Sequence, residues 1–168
     1  ARPLPKVLSI AEVERLLAVA AEGRDDPERP FGARLRAARL TALLELLYAT
    51  GLRVSELVGL PRQAARPQMR LIAVKGKGGR ERLVPLTEAA KSAVAAYLEL
   101  RAAAGGADDG GFLFPATGED GHLTRQAFAR DLKAAAGRAG LSPAQVSPHV
   151  LRHALASHLL QNGADLRT

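Results

Sequence analysis

The sequence has no cysteine and no tryptophan, and aromatic residues make up only 4% of its 168 positions. The absence of cysteine excludes a disulfide framework and a metal site built from thiolates. No run of eighteen apolar residues occurs, so we expect no membrane span and no membrane association. No leader-like segment is recognisable either, which favours a cytoplasmic protein. The longest apolar stretch, residues 40–47, is interrupted by Thr41 and Glu45 and is typical of a core helix.

Small aliphatic residues and positive charge are abundant instead. Hydrophobic residues account for 47% of the chain, which with so few aromatics predicts an Ala/Leu-rich, mostly helical domain spanning residues 1–168. The 24 Lys and Arg residues outnumber 17 Asp and Glu residues, so the formal charge is +7. Such a balance favours a polyanionic partner, most often nucleic acid. A soluble basic domain with a protein partner would carry the same charge.

Helix signals recur along the whole sequence. Ser9-Ile-Ala-Glu12 forms a capping box, and Gly51 has the position of a helix C-cap. Pro148 stands at a preferred first helical position. From caps and apolar spacing we predict helices from Ser9 to about Gly23, at 33–49, at 54–60, at 88–104 after Thr87, from Thr124 to about 139, and from Ser147 onward.

In one region the spacing of the apolar residues changes from a helical to a strand-like pattern. Residues 70–75 and 80–85 are short strand candidates on either side of Gly76-Lys77-Gly78-Gly79, which indicates an antiparallel β-hairpin with a basic tip. The fold class is therefore mainly α with a small antiparallel hairpin. A lysine in a hairpin tip is usually a solubility feature. The neighbouring Lys75, Arg80 and Arg82 favour contact with a polyanion, and Lys77 has the chemistry to protonate a leaving oxygen.

A pair of arginines and a histidine form the best candidate site. Arg53 follows the predicted helix stop, while His149 and Arg152 are three residues apart and share a helix face. Guanidinium groups match phosphate geometry bidentately, so these side chains predict a phosphate-binding site. Because leucines surround Arg53 in sequence, we expect it to be partly buried. Glu56, one turn later, is expected to orient its guanidinium.

Other reactive residue types lack a convincing arrangement. The spacing of His149 and His153 is not accompanied by the glutamate of an HExxH motif, so no metal is expected. His153 and His158 are interpreted as packing or surface residues. Tyr48 and Tyr97 lie in Ala/Leu-rich helices, where structural packing is the better interpretation than nucleophilic catalysis.

Three segments in order resemble the tyrosine recombinases of the phage integrase family, and the resemblance covers nearly the whole chain. Within the family, resolvases of chromosome dimers are the most similar branch. The segments are Leu-Tyr-Ala-Thr-Gly-Leu-Arg-Val-Ser-Glu-Leu-Val-Gly-Leu at 47–60, the lysine hairpin at 76–86, and Ser-Pro-His-Val-Leu-Arg-His at 147–153, continued by residues 158–167.

The resemblance implies a tyrosine-recombinase catalytic-domain fold and metal-free, cofactor-free chemistry. Arg53 and Arg152 would hold the scissile phosphate, Lys77 would act as general acid, and His149 would assist proton transfer at a tyrosine nucleophile. That tyrosine would form a 3′-phosphotyrosyl bond, which the other strand's 5′-hydroxyl then reverses.

DNA contacts follow from the same resemblance. The helix opened by Thr124 would approach the major groove, where Arg125 and Gln126 suit guanine and adenine edges. Lys75 and Arg80, beside the hairpin tip, are expected to contact DNA because of their charge. The implied partners are a double-stranded recombination site and a related recombinase, together in a tetramer on DNA.

The sequence departs from the family pattern at its ends. It stops at Thr168, before the family's Leu-Gly-His segment and nucleophilic tyrosine, and it lacks the helical core-binding domain that precedes the catalytic domain. We therefore expect a partial catalytic domain that binds DNA phosphate without cleaving it. The alternatives are a non-catalytic DNA-binding protein that uses the same pocket for grip, and a basic domain with a protein partner.

Overall fold

A computed structural model describes residues 8–65, 71–75, 77–105, 111–116 and 121–166, without the side chains of residues 74, 75, 77 and 159–166. The described residues form six α-helices and one two-stranded sheet. The helices are α1 (Ile10–Glu22), α2 (Phe31–Thr50), α3 (Val54–Val58), α4 (Glu88–Ala103), α5 (Arg125–Arg138) and α6 (Pro148–Leu166), and the strands are β1 (Leu71–Lys75) and β2 (Glu81–Pro85).

Side-chain caps define where most helices begin. In α1 the capping box is complete, because Glu12 N donates to Ser9 Oγ at 3.1 Å and Ser9 N donates to Glu12 Oε1 at 2.9 Å. Thr87 and Thr124 each accept from the amide three residues later. These predicted caps are confirmed. The bounds differ slightly: α2 begins at Phe31, earlier than predicted, and α3 ends at Val58, before Leu60.

Helix α2 is the centre of the fold. It contacts α1, α3, α4, α5 and α6, and its residues 40–44, 46 and 47 are all buried. A stretch of helix that is buried on nearly every face can be stable only when other elements surround it. None of the described helices is both long enough and apolar enough to cross a membrane.

The strands form the predicted antiparallel hairpin. Their register pairs Leu71 with Pro85, Ile72 with Val84 and Ala73 with Leu83. Ile72 is fully buried and Val84 packs against the core, whereas Leu83 is 66% exposed. The sheet is thus attached to the helical body by one face.

The segment 111–116 lies between α4 and the end of α3. Leu113 N donates to Leu60 O at 2.9 Å, and the Tyr97 hydroxyl donates to Leu113 O at 3.1 Å. Tyr97 also stacks on Phe114, with ring centroids 5.3 Å apart. The prediction that Tyr97 is a packing residue is confirmed. The flanking residues 106–110 and 117–120 lie outside the described residues.

Candidate active site

The site is built on a tight turn at the end of α2. Gly51 has φ of 65°, a left-handed conformation that favours glycine, and its amide donates to Leu47 O at 2.9 Å. The Thr50 hydroxyl donates to Leu46 O at 2.6 Å and accepts from Leu52 N at 3.2 Å. These bonds fix the direction in which the carbonyls of the turn point.

Arg152 is held by those carbonyls. Its Nε donates to Leu52 O at 3.1 Å and to Gly51 O at 3.3 Å. Its own helix, α6, is capped by the preceding Ser147, whose Oγ accepts from Val150 N at 3.1 Å. Because the bonds described for this guanidinium use Nε, its two terminal nitrogens remain able to donate to a ligand.

Arg152 opens onto a groove of about 570 Å³ together with the other predicted phosphate-binding residues. The starts of three helices line this groove: α3, α5 and α6. The lining residues are Arg53, Val54, Ser55, Arg125, Gln126, Ala129, Ser147, Pro148, His149 and Arg152. Helix N-termini present free amides and partial positive charge, so their convergence favours an anion beyond what the side chains contribute.

Arg53 and Glu56 differ from the sequence-based prediction in detail. Arg53 is exposed, not partly buried, because it immediately precedes α3, whereas the nearby Leu52, Leu57 and Val58 enter the core. The Glu56 carboxylate accepts from the Arg53 backbone amide at 2.9 Å rather than from its guanidinium. A glutamate three residues after the N-cap residue commonly accepts from the N-cap amide in this way. The Arg53–Glu56 spacing in the sequence was therefore a signal for this backbone hydrogen bond.

The hairpin tip is described only in its backbone near Lys77. Residues 77–79 form the turn between the strands, in which Gly78 and Gly79 have positive φ values of 77° and 76°, and Lys75 pairs with Glu81 in the ladder. The side chains of Lys75 and Lys77 lie outside the described residues, so their roles stay predictions. Arg80 follows the turn and is exposed.

The tyrosines and remaining histidines are placed away from the groove lining. Burial raises the pKa of Tyr97, an effect that Arg101, Arg39 and Arg62 partly oppose, so its phenol stays protonated. Tyr48 packs against the core. His153 is exposed and His158 is buried, in line with the predicted packing and surface roles. Among the described residues no three His, Cys, Asp or Glu side chains cluster as metal ligands would.

The sequence matches the phage integrase family over residues 6–168. The chain is a member of that family. It is 58% identical over 167 residues to the tyrosine recombinase XerD of Brucella suis biovar 1, covering 99% of this chain and 54% of that protein. It is 59% identical over 171 residues to XerD of Bradyrhizobium diazoefficiens, with the same two coverages. This integrase-family chain therefore spans about half the length of these relatives.

Solved structures of family members have the same fold. The XerA recombinase superimposes with a TM-score of 0.74 at 30% identity, covering 98% of this chain and 54% of that one. The XerH recombinase bound to its difH substrate in a pre-cleavage complex gives a TM-score of 0.73 at 26% identity, covering 96% and 45%. The predicted fold class is thus confirmed as a tyrosine-recombinase catalytic-domain fold.

Proposed function

We propose that the protein is a tyrosine recombinase that carries out site-specific DNA recombination, and that residues 1–168 belong to its catalytic domain. The observation that carries this proposal is the groove in which Arg53, His149 and Arg152 meet at three helix starts. A pocket of fixed donors around one anion is the arrangement that stabilises a phosphoryl-transfer transition state. The XerD relatives support the same reaction class.

The proposed reaction has two steps, cleavage and rejoining of a DNA strand. A tyrosine oxygen attacks the scissile phosphorus, forms a 3′-phosphotyrosyl bond and displaces the 5′-oxygen. Arg53 and Arg152 neutralise the non-bridging oxygens in place of a metal ion. Lys77 gives its proton to the departing 5′-oxygen, and His149 assists removal of the tyrosine proton. A 5′-hydroxyl from the partner strand then attacks phosphorus while the neutral Lys77 amine takes its proton, and the released tyrosine regains its proton with the help of His149.

The nucleophile in this proposal is neither Tyr48 nor Tyr97. Tyr97 is buried and donates its hydroxyl proton to a backbone carbonyl, and Tyr48 packs against the core. The attacking tyrosine therefore belongs to a part of the protein outside these 168 residues. On its own, the chain binds DNA phosphate and does not cleave.

Recognition of DNA is assigned to the same side of the molecule. Arg125 and Gln126 are exposed at the start of α5 and line the groove. Their side chains suit major-groove base edges, whereas Lys75 and Arg80 of the hairpin suit backbone phosphates. A double-stranded recombination site is the proposed substrate. The XerH structure with difH DNA supports this choice.

The relatives also suggest the biological role. We assign the protein to the resolution of chromosome dimers in the cytoplasm, where it pairs with a second, XerC-like recombinase in a tetramer on DNA. The basis is the identity to XerD proteins over 99% of the chain.

The test is covalent trapping with the full-length protein and a nicked DNA substrate carrying a candidate recombination site. We expect the wild type to form a protein–DNA adduct that survives denaturation. Arg53→Ala and Arg152→Ala should each lower adduct formation by at least about 100-fold, since loss of one preorganised donor costs about that much, while much of the DNA affinity remains. Tyr48→Phe serves as the matched control and should leave adduct formation intact. DNA binding without any wild-type adduct would instead favour a non-catalytic DNA-binding protein.

A further inference from the structure

Among the described residues, the hairpin that carries Lys77 contacts the helical body at two places. One is apolar, because Ile72 and Val84 are register partners and both pack toward the core. The other is ionic, because Arg82 Nη2 lies 3.8 Å from Glu56 Oε1. Arg82 and Val84 share a face of β2, since side chains alternate along a strand. An isolated two-stranded hairpin is marginally stable in water, so its position depends on such attachments.

The same oxygen of Glu56 serves two elements. Glu56 Oε1 accepts from the Arg53 amide at 2.9 Å, where α3 begins, and it also faces Arg82 on β2. The Glu56 side chain is only 16% exposed, whereas that of Arg82 is 53% exposed. The carboxylate is thus fixed by its backbone bond and gives the longer arginine a defined place to dock.

Arg82 lies close to the proposed general acid along the chain. Arg82 directly follows Glu81, which pairs with Lys75 at the end of the ladder. Residues 77–79 form the turn beyond that last pair. The Ile72–Val84 pair lies two residues farther from the turn. Of the two attachments, the ionic one is therefore nearer to Lys77 and controls the tip more directly.

We propose that Arg82 is a positioning residue that, through Glu56, couples the Lys77 hairpin to the helix start bearing Arg53. The Arg82–Glu56 pair thereby holds the general acid, Lys77, in a fixed position relative to Arg53, one of the two phosphate-binding arginines. This inference rests on the proposed function. It adds a residue that touches neither substrate nor reacting atoms and acts through the placement of Lys77.

The experiment compares two leaving groups in the full-length protein. One nicked DNA substrate carries the ordinary scissile phosphate, and the other has sulfur in place of the bridging 5′-oxygen. A thiolate leaves without protonation, so the second substrate does not need a general acid. We expect Arg82→Ala to slow single-turnover cleavage of the ordinary substrate by about tenfold, because misplacing a catalytic group costs up to about 100-fold. Cleavage of the sulfur substrate should change less than about twofold.

Two further variants separate positioning from other roles. Glu56→Gln keeps an acceptor for the Arg53 amide but removes the charge facing Arg82, so it should reproduce the Arg82→Ala defect. Combining both changes should be no worse than either alone, because coupled residues are not additive. Arg82→Lys should restore part of the rate. Arg36→Ala, on the exposed side of α2 in a separate groove, removes the same charge and should leave both rates unchanged.

Each other outcome overturns the inference. An equal defect on both substrates, accompanied by weaker DNA binding, would make Arg82 a phosphate contact rather than a positioning residue. Normal cleavage by Arg82→Ala would show that the ionic attachment is dispensable. Failure of the proposed function is distinguishable, because the wild type would then cleave neither substrate.

Discussion

A single nitrogen atom, Arg152 Nε, connects two segments that are about 100 residues apart in the chain. Its bonds to the carbonyls of Gly51 and Leu52 hold the guanidinium in place through Nε and leave the terminal nitrogens for a ligand. The side chain thereby needs less ordering when an anion binds, and preorganised donors are the ones that contribute most to catalysis. At the residue scale, the site depends on a backbone turn as much as on the side chains that contact the ligand.

Glu45 is a residue whose charge opposes folding. Burial within α2 raises its pKa above the usual 4.5, although the charge of Arg24 partly opposes the shift. A raised folded-state pKa means that this group favours folding below about pH 4.5 and that the contribution is lost as pH rises through the folded pKa. We therefore expect Glu45→Gln to raise Tm at pH 7 and to raise it less at pH 4.

Thermal unfolding at both pH values measures this effect. Glu14→Gln, at an exposed position of α1, makes the same chemical change as a control and should shift Tm similarly at both. A larger gain for Glu45→Gln at pH 4 than at pH 7 would contradict the assignment.

At the scale of elements, the turn between α2 and α3 is the part of the site most sensitive to a small change. Gly51→Ala forces a side chain into φ of 65°, although no atom would contact the added methyl within 4 Å. The left-handed conformation alone should lower the free energy of unfolding by about 1–2 kcal/mol. Because Arg152 bonds to the same turn, DNA cleavage by the full-length protein should fall more than the loss of folded protein explains.

Gly32→Ala provides the matched comparison within α2. The added methyl again meets nothing within 4 Å, but the position is helical, so stability should be unchanged or rise by up to about 1 kcal/mol. Urea unfolding of both variants gives the stabilities. Equal stability for the two would show that the turn does not require glycine.

Elements with local signals could be predicted, and contacts between distant elements could not. The Ser9 capping box, the Gly51 stop and the hairpin each depend on residues within a few positions, so the sequence predicted them correctly. The predicted burial of Arg53 was wrong, because neighbouring leucines reveal the core but not which way an intervening side chain points. The Glu56–Arg82 pair depends on how β2 packs beside α3, which no local pattern encodes.

At the scale of the whole molecule, positive charge and helix direction act together. The net charge of +7 draws a polyanion toward the protein without selecting a face. The convergence of the starts of α3, α5 and α6 at one groove supplies that selection, since helix N-termini attract anions only over a short range. Three arginines elsewhere, Arg29, Arg36 and Arg138, line a second groove with Asp131 and show that charge alone does not define the site.

The salt dependence of DNA binding distinguishes these two contributions. For a contact to phosphate in duplex DNA, the slope of log K against log salt changes by about 0.9. Arg53→Gln should therefore reduce the magnitude of the slope by about 0.9, whereas Arg36→Gln should leave it nearly unchanged. Gln126→Ala should keep the wild-type slope and alter only the preference among DNA sequences, because an uncharged side chain releases no counterion. Equal slopes for Arg53→Gln and Arg36→Gln would mean that diffuse charge, and not the groove at the helix starts, binds the DNA backbone.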